Sequence, residues 1–150
     1  MPPLSSATLW AAFAIVCALL VVKAQILGAA TAATRGKLKQ FLNPEDARWL
    51  SGQHVKPDSE TVDRIARAHR NDLENLLPFF IGGMLFLNGR GPIGAGLAYF
   101  IIFLFARYIH SAAYLLRKPA LRRNAYTAGW LVTLVLACHA AWSLATAAWA

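Results

Sequence analysis

Cysteine is scarce in this sequence, and the positions of the cysteines argue against two classes of protein. Only 2 of the 150 residues are cysteine, Cys17 and Cys138, and both lie within apolar stretches. Such cysteines are typical of small buried side chains, not of a disulfide framework or a metal site. The four histidines add no metal-ligand spacing, so we expect no bound metal.

Charged side chains are nearly missing from three long stretches, residues 9–34, 91–116 and 125–150. Each is longer than the roughly 20 apolar residues that a membrane-spanning helix needs. A fourth stretch, residues 62–88, is apolar only in its second half. The N-terminus lacks the basic segment that opens a secretory signal, so we expect the first stretch to be retained. We predict one domain over residues 1–150, an all-α integral membrane protein built as a four-transmembrane-helix bundle.

Acidic residues are also scarce, 7 against 15 lysines and arginines, which gives a net charge of +8. The basic residues gather in two of the connections between the expected spans: Arg35, Lys37, Lys39, Arg48 and Lys56 in the first, and Arg117, Lys118, Arg122 and Arg123 in the last. Basic connections stay in the cytoplasm, so this multi-pass chain should place both there. We expect no nucleic-acid partner, because single-strand binders need a basic groove with accessible aromatic rings.

The connections also carry signals of helix boundaries. Asn43 and Pro44 are typical of an N-cap and a first helical position, and predict a short helix in the first connection. The polar residues 58–60 predict the start of the second long helix. Pro119 is expected to end the third long helix, and the apolar run predicts that the fourth begins near Ala125.

Two of the expected helices carry a stripe of polar side chains at offsets 0, 3, 4 and 7, which share one helix face. The stripes are Arg67, Arg70, Asn71 and Glu74 on the second long helix, and Arg107, His110, Ser111 and Tyr114 on the third. An ion pair between Glu74 and Arg107 would satisfy both, since a lone arginine within the bilayer costs about 2.5–3.5 kcal/mol. Lys23, inside the first span, needs an internal partner or a route to the interface.

Arginine outnumbers the carboxylates near these stripes. Such an imbalance indicates a binding or catalytic site for an anionic ligand, and arginine suits carboxylates because it donates in a rigid bidentate fork. For His110 alone, a hydrogen-bonded core histidine is as good an interpretation as a ligand contact.

Several motifs in the chain resemble those of one known family. Residues 67–79, with the sequence RAHRNDLENLLPF, strongly resemble the signature of the MAPEG family, membrane proteins of eicosanoid and glutathione metabolism. Residues 43–47, NPEDA, resemble the matching segment of its prostaglandin E synthase members. The pattern Arg107-x-x-His110-x-x-x-Tyr114 and the run Pro119-Ala-Leu-Arg122 continue the resemblance, which covers about residues 22–127.

This resemblance implies a left-handed four-helix bundle assembled as a homotrimer, with glutathione bound between subunits on the cytoplasmic side. Glutathione carries two carboxylates, which fits the excess of arginine. By motif, the expected glutathione contacts are Arg70, Asn71, Glu74, His110, Tyr114, Tyr126 and Thr127, with Arg67 on the same face and Arg35 supplied by a neighbouring subunit.

The resemblance also implies a catalytic arginine that stabilises the glutathione thiolate. Counting back from Tyr126 assigns this role to Arg122, whereas counting forward from Tyr114 assigns it to Arg123; the Pro-x-x-Arg match favours Arg122. Arg123 stands where the family's prostaglandin E synthase has a serine, and Asp46 matches an aspartate implicated in that synthase.

Three functions stay open at this point. The first is a glutathione transferase that also reduces hydroperoxides, acting on lipophilic substrates held in membrane lipid. The second is a glutathione-dependent endoperoxide isomerase of the prostaglandin E synthase type. The third is a non-catalytic lipid-binding scaffold, which is disfavoured because the glutathione contacts are retained. Abundant alanine and arginine indicate a bacterial inner membrane; a eukaryotic source would imply the endoplasmic reticulum, with the site facing the cytoplasm.

Overall fold

The computed structural model describes residues 6–148, with side chains up to residue 146; residues 1–5 and 149–150, including the end of the last expected span, lie outside the described part. Within that part the chain forms two short strands, β1 (Gln40–Phe41) and β2 (Gln53–His54). It also forms five helices, which are α1 (Ser6–Leu38), α2 (Pro44–Trp49), α3 (Glu60–Asn88), α4 (Ile93–Leu115) and α5 (Pro119–Ala148). Apart from the two strands, the predicted all-helical architecture is confirmed.

The long helices α1, α3, α4 and α5 pack side by side as a bundle. α1 and α4 run toward the end that carries the basic connections, called here the basic end, whereas α3 and α5 run away from it. Contacts along the seam between α3 and α5 show this parallel arrangement: a Cβ on Gly82 would lie 3.6 Å from Leu136, and one on Gly89 would lie 3.1 Å from Ser143.

Among residues 6–148, the three helices α1, α4 and α5 are long and apolar enough to cross a membrane, as their sequences predicted. Their outward faces expose large apolar side chains; Ile15 and Phe105, for example, are each 61% exposed. A soluble monomer rarely exposes apolar surface on this scale, whereas a lipid-facing helix does. α3 has 29 residues but is charged over its first half, so its assignment as a fourth span stays a prediction.

Phenylalanine rings fill the half of the bundle away from the basic end. Phe79 of α3 stacks on Phe103 of α4 with ring centroids 3.8 Å apart, and Phe13 of α1 packs 5.0 Å from Phe100. Gly83 makes room for this packing, because a Cβ there would lie 2.3 Å from the ring of Phe13. Small residues that let helices approach closely are typical of packing in lipid.

The last helix begins earlier than its apolar run predicted. α5 starts at Pro119, not near Ala125, and α4 has already ended at Leu115. Proline is favoured at the first helical position because it has no N–H that would be left unpaired there. Pro119 therefore opens α5 instead of ending α4, and Arg122 and Arg123 lie in its first two turns, not in a connection.

The first connection is an ordered substructure. α2 begins at Pro44 after the N-cap Asn43, and α3 follows the N-cap Ser59, as predicted. β1 and β2 pair in parallel, and the Gln53 N–H donates to the Lys39 carbonyl over 2.7 Å. Because this pairing is so short, nothing in the local sequence pattern indicated it.

Candidate functional site

A buried ionic cluster joins three of the long helices. Asp72 of α3 accepts from Lys23 of α1 at 2.7 Å and from Arg107 of α4 at 2.7 and 3.2 Å. Asp72 and Arg107 are both fully buried, and Lys23 is 7% exposed. These three residues and Ser111 are called the buried cluster. Lys23 thus has the internal partner that its position within an apolar span required.

Hydrogen bonds satisfy most polar groups of the buried cluster. The Lys23 ammonium also donates to the Arg107 carbonyl at 3.0 Å and to the Ser111 hydroxyl at 3.1 Å, so all three of its N–H groups are used. The Ser111 hydroxyl lies 3.3 Å from the Asp72 carboxylate. Among the described residues, Arg107 Nη1 has no partner. Two cations share one carboxylate, so the buried cluster carries excess positive charge.

The expected ion pair between Glu74 and Arg107 does not form. Arg107 pairs with Asp72, and Glu74 is exposed two residues further along α3. Two residues turn about 200° around a helix, so Asp72 and Glu74 point to nearly opposite sides. No role was predicted for Asp72; the signal that points to it is the need of Lys23 and Arg107 for a buried carboxylate.

The polar stripe of α4 therefore divides into two parts. Arg107 and Ser111 belong to the buried cluster. His110 and Tyr114 instead contact Arg122 of α5, His110 at its main chain and Tyr114 at its side chain. Half-buried Asn71 of α3 adjoins the buried cluster, because its side-chain oxygen accepts from Arg107 Nη2 over 2.8 Å.

A cavity of about 240 Å³ opens at the basic end between α3, α4 and α5, and is called the basic cavity. Its lining residues are Glu60, Arg64, Arg67, Tyr114 and Arg122. Arg64 forms an ion pair with Glu60, and Arg67 forms one with Asp63, each across one turn of α3. Three guanidinium groups against the carboxylates of Glu60 and Asp63 leave the cavity net positive.

Arg122 is held in the basic cavity by an aromatic ring. Its guanidinium carbon lies 4.5 Å from the centroid of the Tyr114 ring, within the range of a cation–π contact. Arg123 follows directly but points about 100° further around α5, because successive residues of a helix are rotated by that angle. Arg123 is exposed and lies outside the basic cavity, and its side chain makes no hydrogen bond or ion pair with another described residue.

His110 lies beside Arg122 and is 3% exposed. Its Nδ1 lies 3.1 Å from the Arg122 carbonyl oxygen, and because a carbonyl only accepts, Nδ1 carries the proton. The His110 ring lies 5.8 Å from that of Tyr114 and 5.9 Å from that of Tyr126. The structure thus brings together four of the residues that the motifs predicted: His110, Tyr114, Arg122 and Tyr126.

A groove of about 390 Å³ lies further from the basic end, along the seam between α3 and α5, and is called the α3–α5 groove. Glu74, Asn75 and Tyr126 line its polar part. Its other lining residues are Pro78, Trp130, Thr133, Leu134 and Ala137. The groove therefore offers one carboxylate beside a mostly apolar wall.

The other predicted site residues lie apart from this group. Arg70 and Thr127 are exposed, and their side chains make no hydrogen bond or ion pair within residues 6–146. Arg35 forms a bidentate ion pair with Asp58, at 2.6 and 3.1 Å, which ties the end of α1 to the start of α3. Asp46 lies in the first turn of α2. A single chain therefore assembles only part of the expected contact set.

Comparison with known proteins agrees with this arrangement of motifs. The chain is 36% identical to the prostaglandin E synthase of Bos taurus, over 97% of this chain and 98% of that protein. It is 38% identical to microsomal glutathione S-transferase 1 of Rattus norvegicus, over 84% of both chains. Human prostaglandin E synthase is 36% identical over 89% of both chains. The MAPEG family model matches residues 13–142, which include the buried cluster, the basic cavity and the α3–α5 groove, and the chain therefore belongs to the MAPEG family.

Proposed function

We propose that the chain is a glutathione-dependent membrane enzyme, a transferase that also reduces hydroperoxides. In this proposal α1, α3, α4 and α5 span the membrane, three copies form a homotrimer, and glutathione binds between subunits at the basic end, on the cytoplasmic side. The observation that carries the proposal is the Arg122 guanidinium, held on the Tyr114 ring in a net-positive cavity. The name of the rat relative, microsomal glutathione S-transferase 1, supports it.

The charged groups around the site suit the chemistry of glutathione, which has two carboxylates, one ammonium and one thiol. Arg64 and Arg67 would receive carboxylates, to which arginine donates bidentately, if their ion pairs with Glu60 and Asp63 are shared or exchanged. Glu74, in the adjoining α3–α5 groove, is the acceptor that an ammonium group needs. Asn71 would present its amide NH₂, since its oxygen is already held by Arg107.

Arg122 would act on the thiol. A free cysteine thiol has a pKa of about 8.5, so only a few per cent is thiolate at neutral pH. A guanidinium beside the sulfur stabilises the thiolate and does not take up the proton, because arginine is already protonated. The proton would therefore leave to water, and Arg122 would hold the negative sulfur.

The held thiolate supports two balanced reactions. With an electrophile, the sulfur forms a bond to the electrophilic carbon as that carbon releases its leaving group. With a hydroperoxide, two glutathione molecules are oxidised to the disulfide, and the hydroperoxide is reduced to an alcohol and water. Neither reaction requires a metal ligand from the chain.

The apolar part of the α3–α5 groove indicates where a second substrate would arrive. Trp130, Leu134 and Ala137 continue from Tyr126 along α5, which is apolar enough to cross a membrane. A lipophilic electrophile concentrates in the bilayer, so a route along this wall would bring it to the thiolate without crossing water.

The remaining expected contacts would come from assembly. Arg70 and Thr127 are exposed in the single chain, where a neighbouring subunit or the ligand can cover them. Arg35 already binds Asp58 of its own chain, so a contact from Arg35 to glutathione held by a neighbour requires that this ion pair be shared or exchanged.

An endoperoxide isomerase is the second candidate, because the bovine relative that matches nearly the whole chain is named prostaglandin E synthase. Asp46, in the first turn of α2, agrees with that candidate. Arg123 counts against it, because the synthase has a serine at the matching position. The products separate the two: a transferase gives a stable glutathione conjugate with 1-chloro-2,4-dinitrobenzene, whereas an isomerase rearranges an endoperoxide without net consumption of glutathione.

Glutathione binding by the detergent-purified protein tests the proposal directly. Calorimetry measures the affinity, and ultraviolet absorbance measures the thiolate. We expect Arg122→Ala to lower turnover of 1-chloro-2,4-dinitrobenzene about 100-fold, the effect of removing one group that stabilises an anion in catalysis. Arg123→Ala is the matched control and should change turnover by about twofold or less, as expected of an exposed residue outside the cavity.

Two outcomes would contradict the proposal. Absence of binding at millimolar glutathione would remove the transferase and the isomerase together, and would favour a non-catalytic lipid-binding scaffold. A larger loss from Arg123→Ala than from Arg122→Ala would move the thiolate-stabilising role to the neighbouring arginine.

A further inference from the structure

His110 makes a contact that thiolate chemistry alone does not require. It lies four residues before Tyr114 on α4, so both side chains extend from the same helix face. The two residues reach opposite ends of Arg122: His110 Nδ1 donates to the main-chain carbonyl over 3.1 Å, whereas the Tyr114 ring lies 4.5 Å from the guanidinium carbon.

We propose that His110 is a positioning residue, which with Tyr114 holds Arg122 at two points. The inference rests on the proposed function, since it concerns how Arg122 is aimed at the glutathione sulfur. His110 holds the main chain of the first turn of α5, and Tyr114 holds the end of the side chain. The guanidinium is thereby placed relative to α4, and its distance from the sulfur is defined before glutathione binds.

The start of α5 needs such a contact. Residues 115–121, which end α4 and begin α5, are all exposed. The first turn of a helix has unpaired N–H groups and frays easily. Arg122 is half-buried, and the bond from buried His110 ties its main chain to the interior of the bundle. Because turnover depends steeply on alignment, a displacement of about 1 Å can cost about 100-fold in rate.

His110 could instead contact glutathione directly, through its other ring nitrogen, Nε2. The family resemblance places His110 in contact with glutathione, and Nδ1 is already used, so such a contact would come from Nε2. Nε2 is buried and has no partner among the described residues. The two nitrogens therefore separate a positioning role, through Nδ1, from a ligand contact, through Nε2.

Two amide variants separate these roles. Asparagine places its amide nitrogen close to the position of Nδ1, whereas glutamine places its amide close to the position of Nε2. We expect His110→Asn to keep the thiolate fraction of bound glutathione within about twofold of the wild-type protein. We expect His110→Gln to lower that fraction about tenfold at neutral pH, the change that corresponds to one pKa unit, with glutathione affinity little changed.

Three outcomes would overturn the proposal. Retention of the thiolate by His110→Gln and its loss in His110→Asn would identify Nε2 as a ligand contact. An equal loss of glutathione affinity in both variants would also indicate direct binding. A thiolate fraction unchanged in both variants would show that His110 does not position Arg122.

Amide hydrogen exchange adds a measurement that needs no glutathione. We expect the amides of residues 122–126 to exchange at least about tenfold faster in His110→Gln than in the wild-type protein, and at nearly wild-type rates in His110→Asn, because only glutamine releases the first turns of α5. Equal exchange in all three proteins would contradict the positioning role. Helix content by circular dichroism shows that each variant is folded.

The exchange experiment also keeps the two proposals apart. If wild-type protein binds glutathione without any thiolate signal, the proposed function of Arg122 fails. The exchange rates would then still report whether His110 holds the start of α5.

Discussion

The buried cluster and the basic cavity both contain arginine, yet their arginines have different surroundings. Arg107 is fully buried and shares the carboxylate of Asp72 with Lys23. Arg122 is half-buried and lies on an aromatic ring, with no carboxylate partner among the described residues. An ion buried in apolar surroundings needs its counter-ion within the protein, whereas one at an open cavity can take it from a ligand.

This difference shows which arginines of the polar stripes serve folding. Arg107 and Ser111 have the helical spacing of a binding surface, but their partners are other residues of the chain. Arg122 lies outside both stripes and has the environment of a ligand-binding group. The presence of a charge inside an apolar span is therefore insufficient to identify a site; its counter-ion has to be located first.

The largest expected effect comes from removing the charge that the buried cluster depends on. Asp72→Asn leaves Lys23 and Arg107 buried without a counter-ion, and breaking a buried pair costs about 3–5 kcal/mol. We expect the melting temperature of the detergent-purified protein to fall steeply or the cooperative transition to disappear. Asp63→Asn is the control: it breaks the exposed pair with Arg67, which is worth less than about 1 kcal/mol. Equal stability of the two variants would show that the buried cluster is not structural.

A smaller effect, on turnover, is expected from changing Tyr114, whose ring contacts Arg122 in the basic cavity. Tyr114→Leu removes the cation–π contact with Arg122, worth about 0.5–2 kcal/mol, and should reduce turnover by about 2- to 30-fold. Tyr114→Phe keeps the ring and should lose less. Steady-state rates at saturating glutathione measure both variants. If phenylalanine is as damaging as leucine, the hydroxyl matters and the ring does not.

The smallest expected effect is that of salt, which should weaken glutathione binding at the basic cavity but leave the buried cluster unchanged. Raising sodium chloride from 0.1 M to 1 M shortens the Debye length from about 10 Å to about 3 Å, so charges at the open basic cavity are screened. Glutathione should bind several-fold more weakly, by calorimetry. The buried cluster is shielded from ions, so the melting temperature should change little; a marked fall in melting temperature at high salt would contradict this view of the cluster.

Much of the fold follows from local sequence patterns. The apolar runs predicted the helices α1, α4 and α5, and Asn43 with Pro44 predicted α2, because hydropathy and capping act over a few residues. The start of α5 was misplaced for the same reason. Arg122, Arg123 and Asn124 interrupt the apolar run, so hydropathy did not show that the helix extends beyond the expected membrane-spanning part.

Part of the candidate site was also predictable. The spacing of His110 and Tyr114 identified the first two of its residues, and the family resemblance identified Tyr126. In the structure the rings of Tyr114 and Tyr126 each lie within 6 Å of the His110 ring. Whether Arg122 or Arg123 acts was left open by counting along the chain. In the structure Arg122 lines the basic cavity and Arg123 does not, which is why the proposed function uses Arg122.

The sequence by itself determined the helices, the excess of positive charge and the motifs of the family, because each of these depends on neighbours along the chain. The tertiary structure decided which charges are paired. Lys23 reaches Arg107 across 84 residues of sequence, and Arg107 reaches Asp72 across 35. No local sequence pattern predicts which of two carboxylates, Asp72 or Glu74, faces Lys23 and Arg107. That choice depends on how α3 is rotated against α1 and α4, because a buried charge is tolerated only where its partner is buried beside it.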